Sequence, residues 1–171
     1  MTVETEFLTF SADKLAQLME HIETCVEKLT PEQVWARGSD TQNAVGNLLL
    51  HLNGNLRQWI LHGIAGQPDT RDRDSEFAAR DAEGTRELLS TLKATVAEVN
   101  AVIRALPPAR LTDPFSNQGY EVTVLSAIYH VVEHFAGHAF QIIFMTKQFT
   151  AGDLGFYAHL SGAKTRTSSL P

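Results

Sequence analysis

The sequence predicts an all-α fold, a four-helix bundle with long crossover connections. Three observations predict it. Four long segments carry apolar residues at helical spacing. The stretches between them are polar and hold proline, glycine and asparagine. Two of those connections are long enough to cross the end of a bundle, so a simple up-and-down order is not required.

The first helix is expected from about Ser11 to Leu29. Ser11 is a suitable cap, and Leu15, Leu18, Met19, Ile22, Cys25, Val26 and Leu29 form one apolar face. Thr30-Pro31-Glu32-Gln33 then reads as the start of a short helix, with Thr30 as cap and Pro31 at its first position. A loop, Gly38 to Gln42, leads into a second long helix from about Asn43 to His62. Its face includes Val45, Leu48, Leu49, Leu52, Leu56 and Ile60, and Gly63 stops it. GQPDTRDRDSEF is polar and reads as a loop. The third helix is expected from Asp81 to Leu106, where Pro107-Pro108 ends it. Residues 109–122 form a crossover or a small hairpin. The last helix runs from about Thr123 to Gln148.

A chain of 171 residues suits one domain, expected over residues 1–160, with residues 161–171 as a mobile tail. The net charge of −6 and the lack of a dense basic block argue against a nucleic-acid partner. The single cysteine, Cys25, excludes an internal disulfide and a thiolate zinc cluster, and a cytoplasmic setting is the default. Cys25 reads as a small core residue rather than a nucleophile. The opening MTVETEFLTF has no basic stretch followed by an apolar run, so no signal peptide is expected. No apolar run approaches the roughly 18 residues of a membrane span.

The stretch HVVEHFAGHAFQI, from His130 to Ile142, places three histidines at intervals of four. A helix turns about 100° and rises about 1.5 Å per residue. Neighbours four apart can share an ion, as in other helical histidine pairs. His130 and His138 are separated by about 12 Å along the axis and about 80° around it, so they cannot share one. At most one adjacent pair ligates. Ala127, Val131, His134, His138, Gln141 and Met145 lie in one narrow sector that is apolar at both ends. That sector faces inward and favours His134 with His138.

Two ligands do not make a stable site, so another helix must contribute. His51, in LLLHLNGN, is the best candidate, at the edge of a leucine face with Asn47 and Asn55 one turn away on either side. Polar groups on such a face need partners. Gly54 weakens the helix unless it admits a close neighbour, here expected to be another helix. A lone histidine at such a place is more often a hydrogen-bonded core residue, and it is the combination that points to a metal. His62 lies about 16 Å from His51 along the axis and cannot join it. His21, His62 and His159 read as incidental.

With His51 in a mid-chain helix and EHFAGHAFQI in the last, the sequence resembles the DinB-like (damage-inducible) superfamily. HLNGNLRQW, RDRDSEF and HFAGHAFQIIFMTK resemble one branch of it whose function is unknown, across roughly residues 5–150. The resemblance implies a four-helix bundle of the DinB/YfiT kind, often a homodimer, with a three-histidine metal site. It assigns His51, His134 and His138 as ligands of a divalent cation, zinc or nickel. The chain departs from the pattern at Ala139-Phe140, where relatives carry a small or basic residue and then glycine. Phe140 points away from His138 on the helical wheel, so it either narrows the approach or serves packing.

Three neutral imidazoles leave a divalent ion its charge and an open position. Such an ion activates water or a thiol. Superfamily relatives are described as thiol S-transferases, isomerases or metal-dependent hydrolases. The expected function is a metal-dependent enzyme acting on a small molecule, with a low-molecular-weight thiol as a candidate partner. Gln141 and Asn55 are candidates for supporting the ligands from behind, and His130 for moving a proton. Glu133 points elsewhere, and no general base stands out. RDRDSEF is expected to be solvated, or to rim a pocket or a dimer interface. The alternatives are a non-catalytic metal-binding or stress-response bundle with a complete ligand set, and a metal-free bundle with a polar core.

Overall fold

The structure is a computed structural model that describes residues 2–80 and 84–158. The chain is mostly helical, with one small two-stranded sheet. Helix α1 spans Val3–Val26, α2 Pro31–Val34, α3 Val45–Leu56, α4 Arg73–Ala78, α5 Thr85–Ala105 and α6 Val124–Thr150. Strands β1, Pro114–Asn117, and β2, Tyr120–Thr123, form a hairpin between α5 and α6.

Helix α1 begins eight residues before the expected start. Thr2, not Ser11, caps it, and the acids Glu4 and Glu6 fall in the first turn, where they suit the helix dipole. Ser11 is buried inside the helix. Leu15, Leu18, Met19, Ile22, Cys25 and Val26 are buried as expected. The cap of α2 is also as expected: Thr30 Oγ1 accepts from Gln33 N, and Gln33 Oε1 accepts from Thr30 N at 2.9 Å.

The apolar face of α3 is buried in full, from Val45 through Leu56 to Ile60. The last turn of this segment, Arg57–His62, widens into a π-helix before Gly63. Gly63 is needed there, because a side chain would meet the Phe115 ring at 2.6 Å. The expected loop at GQPDTRDRDSEF instead contains α4, capped by Asp72, whose side chain accepts from Ser75 N. The third long helix starts at Thr85 rather than Asp81, and residues 81–83 lie outside the described part. In the connection after it, Gln118 and Gly119 take positive φ of 51° and 80°, the turn that suits a two-residue hairpin. Thr123 caps α6. His159 and the expected tail, residues 161–171, lie outside the described residues.

Helix α1 packs on α5 and α6, and α3 packs on the same two helices, with α4 against α3. Phe135, Leu15, Ile22, Leu48, Leu52 and Leu92 are among the fully buried side chains between them. Burial of each such side chain contributes about 1.5–3 kcal/mol. This core fixes α3 beside α6, and the candidate site lies between those two helices. No helix among the described residues is long and apolar enough to cross a membrane.

Candidate metal centre

His51 stands in the middle of α3 and is buried. His134 and His138 stand one turn apart on α6 and are half-buried. One ring nitrogen from each lies within 4.8 Å of the others, so the three can hold a metal ion. The Nε2 atoms of His51 and His134 are 3.0 Å apart. The rings of His134 and His138 are 4.6 Å apart, and those of His51 and His138 5.1 Å. Ligand atoms on a tetrahedral ion at about 2.0–2.1 Å are separated by roughly 3.3 Å, close to the spacing of the His51 and His134 Nε2 atoms.

The protons on these rings follow from their neighbours. Glu76 Oε2 lies 2.9 Å from His51 Nδ1. Arg71 donates from Nε to Glu76 Oε1 at 2.8 Å and from Nη2 to Oε2 at 3.0 Å. Burial alone would raise the Glu76 carboxyl. The hydrogen bonds from His51 and Arg71, with the charge of Arg71, outweigh it and hold the carboxyl below its usual range. An ionised carboxylate only accepts, so His51 carries its proton on Nδ1 and presents a bare Nε2. Arg71 Nη2 also lies 3.1 Å from His51 Nδ1. It can only donate, and its hydrogen bond goes to Glu76.

Burial, reinforced by the charges of His138, His51, His130 and Arg71, pushes His134 down to about 3. Burial likewise lowers His138, partly offset by Gln141. Both rings are therefore neutral. Gln141 Oε1 accepts from His138 Nδ1 at 2.8 Å, which leaves Nε2 of that ring as the free lone pair. His134 Nδ1 is buried and has no hydrogen-bond partner among the described residues. Such an atom is costly to bury unpaired.

The remaining candidates divide. Gln141 touches His138. Asn55 is buried but makes no hydrogen bond to any of the three histidines among the described residues. His130 stays outside the cluster. Its ring packs on Trp59 at 4.5 Å and lies 5.6 Å from that of His134. Phe140 is 58% exposed. His21 stacks on Phe156, and His62 Nδ1 bonds to the Gln67 carbonyl.

The sequence reading missed Glu76 and Arg71. RDRDSEF is solvated only in part: Asp72 to Ser75 are exposed and the segment rims a cavity, but Glu76 is 7% exposed and the Arg71 side chain only 3%. A signal was present, because Asp72 followed by Ser75 and acids is a helix start. Asn47 holds the same segment. Its Nδ2 donates to the Glu76 carbonyl at 2.9 Å and the Ala79 carbonyl at 3.1 Å, and its Oδ1 accepts from Ala44 N at 3.0 Å. Gly54 does admit a close neighbour, as expected from a helix: Glu76 stands on α4, with Arg71 just before it. A side chain there would strike Glu76 Oε1 and come within 2.9 Å of Arg71 Nε. A cavity of about 260 Å³ lies on the outer side of the Arg71–Glu76 pair, and none of the three histidines lines it.

No curated protein and no solved structure matches the chain. One family model does, described as a protein of unknown function, DUF1572, over residues 2–164. Since the match takes in every element of the site, the chain belongs to that family.

Proposed function

We propose that this protein is a metal-dependent enzyme of the DinB-like kind, its four long helices forming a four-helix bundle. His51, His134 and His138 would hold a divalent cation, zinc or nickel. The observation that carries this reading is the convergence of the three imidazoles, with Nδ1 of His51 held by Glu76 and Nδ1 of His138 held by Gln141. When bound, the ion supplies Lewis acidity towards water or a low-molecular-weight thiol. Among the described residues no acidic or cysteine side chain joins the three, which favours an open site over a closed structural one.

The chain's own residues then have separate tasks. Glu76 orients His51 and raises the basicity of its Nε2. Gln141 does the same for His138. His130, between Trp59 and His134, is placed to move a proton at the edge of the site. The substrate is a small molecule, and the reaction is hydrolysis or thiol S-transfer.

The test is metal content. The untagged protein, purified without chelator, is expected to carry about one ion per chain. His51→Ala and His138→Ala are expected to lose it while keeping their helical circular dichroism. Full occupancy in either variant would sink the three-histidine site. Screening thiol adducts against esters then separates transferase from hydrolase. Metal loss that leaves every such activity unchanged would favour a non-catalytic role.

A further inference from the structure

The cavity of about 260 Å³ beyond the Arg71–Glu76 pair has no part in the metal reading. One side of it is α3 with the π-helical turn, and the other is residues 67–72 with the start of α4. That second wall is fastened along its length. Gln67 donates from N to the Leu61 carbonyl at 2.9 Å and from Nε2 to Glu98, on α5, at 2.6 Å. Asp69 Oδ2 accepts from Gln58 Nε2 at 2.8 Å, and Arg71 is held by Glu76. The cavity is therefore a preformed part of the fold, as ligand pockets usually are. Its volume falls below the roughly 300–1,000 Å³ of pockets for drug-sized molecules, so its occupant is small.

The charges of the lining say what kind of molecule that is. Arg71 and Glu76 neutralise each other. Arg57, Asp69 and Asp72 remain. Arg57 is half-buried and makes no hydrogen bond or ion pair with any described residue. A guanidinium drawn partly out of water gains most from an anion, and its planar fork matches a carboxylate. Asp69 Oδ1 accepts from Arg71 N at 3.0 Å, and Asp72 Oδ1 from Ser75 N at 3.2 Å. The bond from Gln58 also holds the Asp69 carboxyl below its usual range. Both carboxylates are thus fixed in place by the chain, and each keeps lone pairs to spare. An ammonium group, with donors only, suits them.

One cation and two anions together repel a simple anion. A simple cation leaves Arg57 unanswered. A small molecule that carries both charges satisfies all three. The lining also includes the apolar side chains of Leu50, Leu61 and Pro68. We propose that this cavity binds a free α-amino acid with an apolar side chain. Its carboxylate meets Arg57, its ammonium meets Asp69 and Asp72, and its side chain lies against Leu50, Leu61 and Pro68. The inference stands apart from the metal reading, because none of the three histidines lines the cavity.

The test is an NMR titration of the isotope-labelled full chain with L-leucine. Amide shifts are expected at residues 53–57 and 67–76, saturating with a Kd on the order of 1 mM. 4-Methylpentanoate, which lacks the ammonium, and isopentylamine, which lacks the carboxylate, should each bind at least about tenfold more weakly. Arg57→Gln should keep its circular dichroism and weaken L-leucine at least about tenfold. Asp72→Asn should weaken it several-fold, and asparagine still caps α4, so the helix start is kept. No saturable shifts in the wild type would overturn the site. So would L-leucine binding that Arg57→Gln leaves unchanged, or shifts confined to the neighbourhood of His134 and His138, which would place the amino acid at the histidines instead. Equal binding of 4-methylpentanoate or isopentylamine would overturn the assignment of an amino acid.

Discussion

His51 and Glu76 stand twenty-five residues apart in sequence and 2.9 Å apart in space. The pair joins a helix of the core to a six-residue helix on its flank. It also settles which nitrogen of His51 faces the other two histidines.

Glu76→Gln is the most direct probe of that pair. It keeps the shape and removes the charge. The loss of the oriented carboxylate is expected to weaken metal binding about 10–100-fold. Arg71, now buried without its counter-charge, should lower stability by on the order of 3 kcal/mol. Competition with a chromogenic chelator and a thermal melt measure the two effects. Unchanged affinity would remove Glu76 from the site.

Gly54→Ala should destabilise the protein even though alanine is the better helix former. The added methyl meets Glu76 and Arg71, and the resulting displacement is expected to cost about 1–3 kcal/mol. That outweighs the gain of about 1 kcal/mol in helix propensity. A chemical denaturation curve decides the sign, and a more stable variant would show that the Glu76–Arg71 pair moves aside freely.

His130→Gln should leave metal content at the wild-type level, because His130 lies outside the three-histidine cluster. If activity is found, a fall in its maximal rate without metal loss is the expected signature of a proton-moving role. Loss of the ion in this variant would mean that the ligand set has been drawn wrongly.

Cys25 should resist alkylation in the native protein. It is fully buried, and burial pushes its thiol up, further from the reactive thiolate. Labelling with a water-soluble thiol reagent should follow the unfolding rate and become fast in denaturant. Prompt labelling under native conditions would contradict the packing of α1.

What was legible in the sequence was local and periodic. The faces of α1 and α3 repeat over many turns, so each turn confirms the last. The spacing of His134 and His138 sets them on one side of α6 by helix geometry alone; that geometry excludes only His130 together with His138, and the inward-facing sector chose between the two pairs. What escaped was short or distant. Helix α4 has too few residues for a period to emerge, and it stands because Asn47 bonds its last carbonyls and Glu76 bonds His51. The early start of α1 was hidden by VETE, which looks like a polar lead-in but puts acids where a helix dipole favours them. Gly54 was read correctly as a close approach, yet nothing nearby in sequence indicates that the neighbour is an ion pair.

The hold of Glu76 on His51 has one further consequence. Helix α4 is fastened to the core through the ring that faces the other two histidines. With an ion held there as proposed, occupancy of the histidines and docking of α4 would be linked equilibria, each favouring the other by the same free energy. A protease that cuts only when residues 66–80 swing away would act as a gauge of metal occupancy, and tightening that segment by design would tighten the grip on the ion.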